Sequence, residues 1–109
     1  TRQIFSSLLN AHVLSGDLSG AADVAMRMRD RGLTLGVVEY TTLLKGQFEA
    51  GDLPSAQGLL EEMLVQRPPV LPDLRTANTF LRGCLKMGEV PVAEKFFARL
   101  GEWGVTADA

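Results

Sequence analysis

Histidine, cysteine and paired carboxylates carry most acid–base, nucleophilic and metal chemistry, and this 109-residue chain holds few of them. Its one histidine, His12, follows Leu8 and Leu9 at helical spacing and reads as a packing residue between neighbouring segments rather than as a base or ligand. Its one cysteine, Cys84, lies between Phe80-Leu81 and Leu85 and reads as a small buried apolar residue. A lone cysteine also excludes an internal disulfide framework and a multi-cysteine zinc site, which suits a reducing or organellar compartment. Glu61 and Glu62 are adjacent, so on a helix they diverge by about 100° and do not form an acid–base couple. The zinc signature of a nucleobase deaminase is absent. Trp103, near the end of the last helical stretch, is expected to pack against a following segment, with base stacking as the alternative. These residues predict no enzyme, no cofactor and no small-molecule substrate.

The elements that carry these residues are repeated. Leu14-Ser15-Gly16-Asp17-Leu18 returns as Glu49-Ala50-Gly51-Asp52-Leu53 and again as Lys86-Met87-Gly88-Glu89-Val90, so the glycine recurs after 35 and then 37 residues. Ala21, Ala56 and Ala93 keep the same step, as do Leu8-Leu9, Leu43-Leu44 and Phe80-Leu81, and Met28, Met63 and Leu100. A period of this size marks a stacked array in which each unit covers its apolar faces with its neighbours. Within units, Phe5, Leu8, Leu9 and Val13, then Tyr40, Leu43, Leu44 and Phe48, then Ala77, Phe80, Leu81 and Leu85 have helical spacing before the glycine. Ala21, Val24, Ala25 and Met28 have it after the first glycine, Ala56, Leu59, Leu60, Met63 and Leu64 after the second, and Ala93, Phe96, Phe97 and Leu100 after the third. Each unit is therefore two amphipathic helices around a tight turn, with Asp17 and Asp52 as caps and Pro54 and Pro91 in the first turn.

Gly32 and Gly104 are placed to end the second helices of the first and third units. The second unit instead runs Arg67-Pro68-Pro69-Val70-Leu71-Pro72-Asp73, an extended loop that is either a docking strap or tolerated padding. Three units are about the minimum for a continuous core, and the sequence reads as a segment of something longer. It contains no run of about 18 apolar residues, so no membrane span is expected.

At this point the residues resemble a family. Val37-Val38-Glu39-Tyr40-Thr41-Thr42-Leu43-Leu44-Lys45-Gly46, with Ala50-Gly51-Asp52-Leu53-Pro54-Ser55-Ala56 and Leu59-Leu60-Glu61-Glu62-Met63, is closely similar to the pentatricopeptide repeat (PPR). Thr76-Ala77-Asn78-Thr79-Phe80-Leu81-Arg82-Gly83 looks like the same repeat in drifted form, and Arg2 to Gly36 is the weakest match. The resemblance implies an all-α, right-handed helical-repeat solenoid of three helix-turn-helix units, residues 1–36, 37–73 and 74–108. It also implies recognition of single-stranded RNA at one base per unit in a mitochondrion or chloroplast, the base edge read by the fifth and last residues of a unit.

On this sequence the family's readers fall on Thr41 with Asp73, a pairing that favours guanine, and on Asn78 with Asp108, which favours uracil. The first unit offers Ser6, whose counterpart Gly36 has no side chain. Val38 matches the residue that packs on base faces, whereas Gln3 and Arg75 stand there in the other units. The first-helix segments 1–15, 37–50 and 74–87 carry Arg2, Lys45, Arg75, Arg82 and Lys86 against Glu39 and Glu49, although the whole chain has 11 basic and 13 acidic residues. If the first helices line the concave side, as the resemblance implies, Lys45, Arg75, Arg82 and Lys86 would face the RNA backbone. The expected function is thus a non-catalytic RNA-binding module acting in RNA processing, stability or translation. Two alternatives stand: a structural part of an organellar ribosome or other ribonucleoprotein, bracing rRNA or ribosomal proteins without base reading, or a targeting array for an enzyme domain outside this segment.

Overall fold

The computed structural model describes residues 1–106. Six helices follow the periodicity: α1 (Arg2–Leu14), α2 (Leu18–Asp30), α3 (Val37–Glu49), α4 (Leu53–Leu64), α5 (Leu74–Lys86) and α6 (Val90–Arg99), the last continued by a 3-10 turn over Leu100–Trp103. They pack as three pairs, α1 with α2, α3 with α4 and α5 with α6. The first helices also pack on one another in the order α1, α3, α5. The fold is all-α, a helical-repeat array with the first helices in one layer.

The repeated glycines set the turns. Gly16, Gly51 and Gly88 have φ of 77°, 73° and 76°, a left-handed conformation that only glycine adopts without a steric penalty. It lets the next residue reach back and satisfy a carbonyl at the helix end: the Asp17, Asp52 and Glu89 N–H groups donate to His12, Gln47 and Cys84 at 2.8, 2.9 and 2.8 Å. Asp17 Oδ1 then caps α2 by accepting from the Gly20 N–H at 2.9 Å, and Asp52 caps α4 through the Ser55 N–H at 3.1 Å. Both caps hold their carboxyls below the usual carboxylate range. For Asp17 the main cause is the Gly20 N–H, and for Asp52 the Ser55 hydroxyl.

One continuous core runs through the three pairs, from Leu9, Val24 and Met28 through Tyr40, Leu44 and Met63 to Phe80, Cys84 and Phe96. Cys84 is buried, as expected, and burial pushes its thiol up, which keeps it an unreactive apolar residue. First helices approach closely where side chains vanish. A β-carbon on Gly46 would press on Leu18 and Val13, and one on Gly83 would occupy the space of the Phe48 ring.

Two expectations need correction, and the structure adds two further placements. Leu8, Leu85 and Phe97 have helical spacing but are exposed, because they stand on the flanks of the array. Phe80, which corresponds to Leu8, is covered by Phe48 of the preceding first helix. His12 does not pack between pairs. Its Nδ1 lies 3.0 Å from Asp17 Oδ2 within the first pair, brought there by the glycine turn. Trp103 folds back on its own pair, with its ring 5.4 Å from that of Phe96 and Arg99 stacked over it at 5.0 Å. The proline-rich loop is fastened to the array: the Val70 N–H donates to the Met63 carbonyl at 2.9 Å, and Pro72 is buried.

Candidate nucleic-acid interface

The layer of first helices exposes a groove. A cavity of about 340 Å³ between α1, α3 and the start of α5 is lined by Ser6, Val38, Thr41, Lys45, Asp73 and Arg75. A trough of about 620 Å³ continues along α5 and takes in Asn78 and Arg82, and a third depression of about 520 Å³ between α3 and α5 contains Arg82 and Lys86 around Phe48. Lys45 borders all three. Nine of the ten sequence-identified residues thus share one connected surface; Asp108 lies outside the described residues.

The hydrogen bonds of the reader positions are specific. Thr41 is nearly buried; its Oγ1 donates to the Val37 carbonyl at 2.7 Å and lies 2.8 Å from Oγ1 of Thr76. Thr76 is fully buried at the third position of α5, and its backbone N–H and hydroxyl donate to Asp73 Oδ1 at 2.9 and 3.0 Å. Asp73 caps α5, and its Oδ2 has no partner among the described residues. At the preceding junction the Ser6 hydroxyl donates to Glu39 Oε2 at 2.6 Å. Oε1 of Glu39 accepts from the Gly36 N–H at 2.6 Å and from Arg2 at 3.0 Å, all at a carboxylate that is 4% exposed. Asn78 is exposed, and so is Val38, an apolar residue open to the groove.

Glu39 and Thr76 are the polar residues that reading for function misses. Their signal is capping-box spacing, Gly36-x-x-Glu39 and Asp73-x-x-Thr76, which marks a helix start and conceals the contact each makes with the preceding first helix.

Among the described residues the cations that line the groove are unpaired: Lys45, Arg75, Arg82 and Lys86 have no ion-pair partner, whereas Arg27, Arg29 and Arg99 of the second helices bind Asp23, Glu62 and Glu61. The groove keeps unneutralised cations, with Glu49 as an opposing charge beside Lys45 and Lys86. On the opposite side the Tyr40 hydroxyl donates to Glu62 at 2.9 Å. Burial first, and the Glu62 carboxylate second, push this phenol up to about 12. Among the described residues no helix is long and apolar enough to cross a membrane.

Helix pairs stacked through their first helices, with a polar and cationic groove on that layer, define a helical-repeat scaffold of the α-solenoid class. Within that class the match is specific. A family model described as "PPR repeat" matches residues 4–33 and 75–105, and one described as "Pentatricopeptide repeat domain" matches residues 28–67. The chain belongs to the pentatricopeptide repeat family. Among curated proteins it is similar to pentatricopeptide repeat-containing proteins of Arabidopsis thaliana. One is 30% identical over 95% of this chain and 18% of its own length, and another is 36% identical over 87% and 17%. A third, named chloroplastic, is 28% identical over 92% and 13%, and a fourth, named mitochondrial, is 28% identical over 96% and 13%. The chain spans less than a fifth of the length of these relatives.

Proposed function

We propose that this chain is a non-catalytic, single-stranded RNA-binding module of an organellar PPR protein, built of units 1–36, 37–73 and 74–108, that takes one base per unit along the first-helix groove. The observation that supports this most is the convergence in one cavity of an exposed apolar residue, Val38, with the polar pair Thr41 and Asp73 and the unpaired cations Lys45 and Arg75. A base needs an apolar face contact, an edge partner and neutralised phosphates, and the cavity offers all three. Lys86 and Arg82 extend the cationic edge along α5, where Asn78 is the third unit's reader.

Titration of a fluorescent single strand at near-physiological salt tests the proposal. Stacking is worth about 1–3 kcal/mol per base and micromolar binding needs about 8 kcal/mol, so the 109-residue chain is expected to bind more weakly than about 1 μM. Lys45→Glu and Arg82→Glu are expected to weaken binding to every sequence and to flatten its salt dependence, whereas Lys95→Glu on α6 does little. Equal effects of Lys95 and Arg82 overturn the assignment of the groove.

The first unit favours a second reading, because Gly36, the counterpart of Ser6, adds no side chain to the groove. A ribonucleoprotein brace that no longer reads bases has this feature. Uniform affinity for all four homopolymers selects it.

A further inference from the structure

Thr41 and Asp73, the two groups that face a base in the reading above, share no direct hydrogen bond; both are tied to one buried atom, Thr76 Oγ1. We propose that the third residue of a unit, Thr76 here and Glu39 at the preceding junction, is a positioning residue for the reader one unit earlier. It holds that reader's hydroxyl so that a lone pair, and not the proton, faces the groove.

Counting protons supports this. The contacts Thr41 Oγ1 to Val37 O, Thr41 Oγ1 to Thr76 Oγ1 and Thr76 Oγ1 to Asp73 Oδ1 measure 2.7, 2.8 and 3.0 Å, and only the two hydroxyl protons are available to them. Val37 O and the Asp73 carboxylate accept only, so with the Thr76 proton on Asp73 the single Thr41 proton goes to Val37 O or to Thr76 Oγ1, into the protein in either case, and Thr76 supplies one of its two acceptors. Thr41 lines the cavity, and with its proton committed to the protein the hydroxyl can meet a ligand there only as an acceptor. Ser6 repeats the outcome with different chemistry: its proton goes to a Glu39 carboxylate oxygen at 2.6 Å, and Ser6 also lines the cavity. In both units the reader therefore seeks a donor on the base edge, an imino or amino N–H. A hydroxyl free to rotate would accept from one base and donate to another, so fixing it converts a permissive contact into a selective one.

The inference rests on base reading by this groove, and the test separates the two. Thr76→Val deletes the hydroxyl at nearly constant shape and leaves Thr41, Asp73 and every groove cation in place. Competition binding to the 109-residue chain uses a uridine oligomer of about ten nucleotides and its counterparts with one central guanine, adenine or cytosine. The unaltered chain is expected to favour one of the four by about fivefold or more. Thr76→Val is expected to bring that ratio to within about twofold of unity, with affinity for the least favoured oligomer and the salt dependence unchanged. Thr76→Ser, which keeps the hydroxyl, is expected to retain the ratio, and Thr76→Ala carries the comparison if the valine variant does not fold. Discrimination by Thr76→Val equal to that of the unaltered chain overturns the positioning role alone, leaving Thr76 as a helix cap. An unaltered chain that binds all four oligomers equally overturns base reading, and the positioning role with it.

Discussion

The two junctions between first helices satisfy the same physical demand in opposite ways. Each must cap the incoming helix and occupy the hydroxyl of the reader on the preceding one. Between α1 and α3 the carboxylate belongs to Glu39, inside the helix, where Arg2, Ser6 and the Gly36 N–H surround it. Between α3 and α5 the carboxylate belongs to Asp73, at the cap, and a neutral threonine fills the interior. Both arrangements satisfy the helix start. Only the second leaves its charge on the groove, since Asp73 is exposed and Glu39 is not. The apolar contacts differ as well. The second junction leads into an aromatic series, Phe48 to Phe80 at 5.1 Å and Phe80 to Phe96 at 4.2 Å, whereas the first presses Val13 and Leu18 against Gly46. Where a carboxylate sits in a capping box thus decides whether a junction buries its charge or presents it on the groove.

The largest test of this difference is Phe80→Ala. Phe80 is 1% exposed between two rings of neighbouring helices, so its loss leaves a cavity that α3 and α6 cannot both close, at a cost of about 3–5 kcal/mol. Urea unfolding followed by helical circular dichroism measures it, and hydrogen exchange is expected to show α5 and α6 loosened before α1 and α2. A cost below about 1 kcal/mol means that the aromatic series adds little to the second junction.

A middle-sized effect separates the polar nodes. Glu39→Gln keeps the shape but removes the charge, so Arg2 and the Gly36 N–H bond a neutral amide oxygen in place of a carboxylate and Ser6 must turn to accept from the amide nitrogen. The expected loss is about 1–3 kcal/mol. Thr76→Val removes the hydroxyl's bonds to Thr41 and to Asp73, but the Asp73 carboxylate is exposed and keeps its bond from the Thr76 N–H, so about 0.5–1.5 kcal/mol is expected. Denaturation midpoints of the two variants rank them. The comparison fails if the valine costs more stability than the glutamine.

Much of this molecule is legible locally. The glycine turns, the aspartate caps and the helix faces depend on residues within one turn of one another, and the repeat places Ser6, Thr41 and Asn78 in register without any structure. What escapes is whatever depends on a neighbouring helix. Periodicity shows that Leu85 and Phe97 share an apolar face and is silent on whether anything covers it. Asp73-x-x-Thr76 announces a cap and hides the contact to Thr41, because that partner lies 35 residues earlier. His12 meets Asp17 through the turn that Gly16 permits, a contact five residues apart that a straight helix would not make.

The smallest effect concerns the side away from the groove, where the first junction has an anchor centred on Glu62. Glu62 accepts from Tyr40 at 2.9 Å and from Arg29 at 2.8 Å, linking α3, α4 and α2. Tyr40→Phe removes the hydroxyl and leaves Glu62 with Arg29 at a partly exposed site, so about 0.5–1.5 kcal/mol is expected at neutral pH. The pH dependence identifies the cause. Folded, the phenol holds its proton to about 12, against an ordinary value of 10.0, so between these values the unfolded chain binds fewer protons than the folded one. Stability therefore falls as pH rises through this window, and the contribution of the phenol is fully present only below about pH 10. Tyr40→Phe lacks this group and is expected to lose less stability over the same interval. Tyr40 is the only tyrosine in the chain, so the phenolate absorbance of the folded protein reports it alone. A midpoint near 10 in that titration removes the hydroxyl from the anchor and leaves Arg29 and Glu62 as the only polar link on that side.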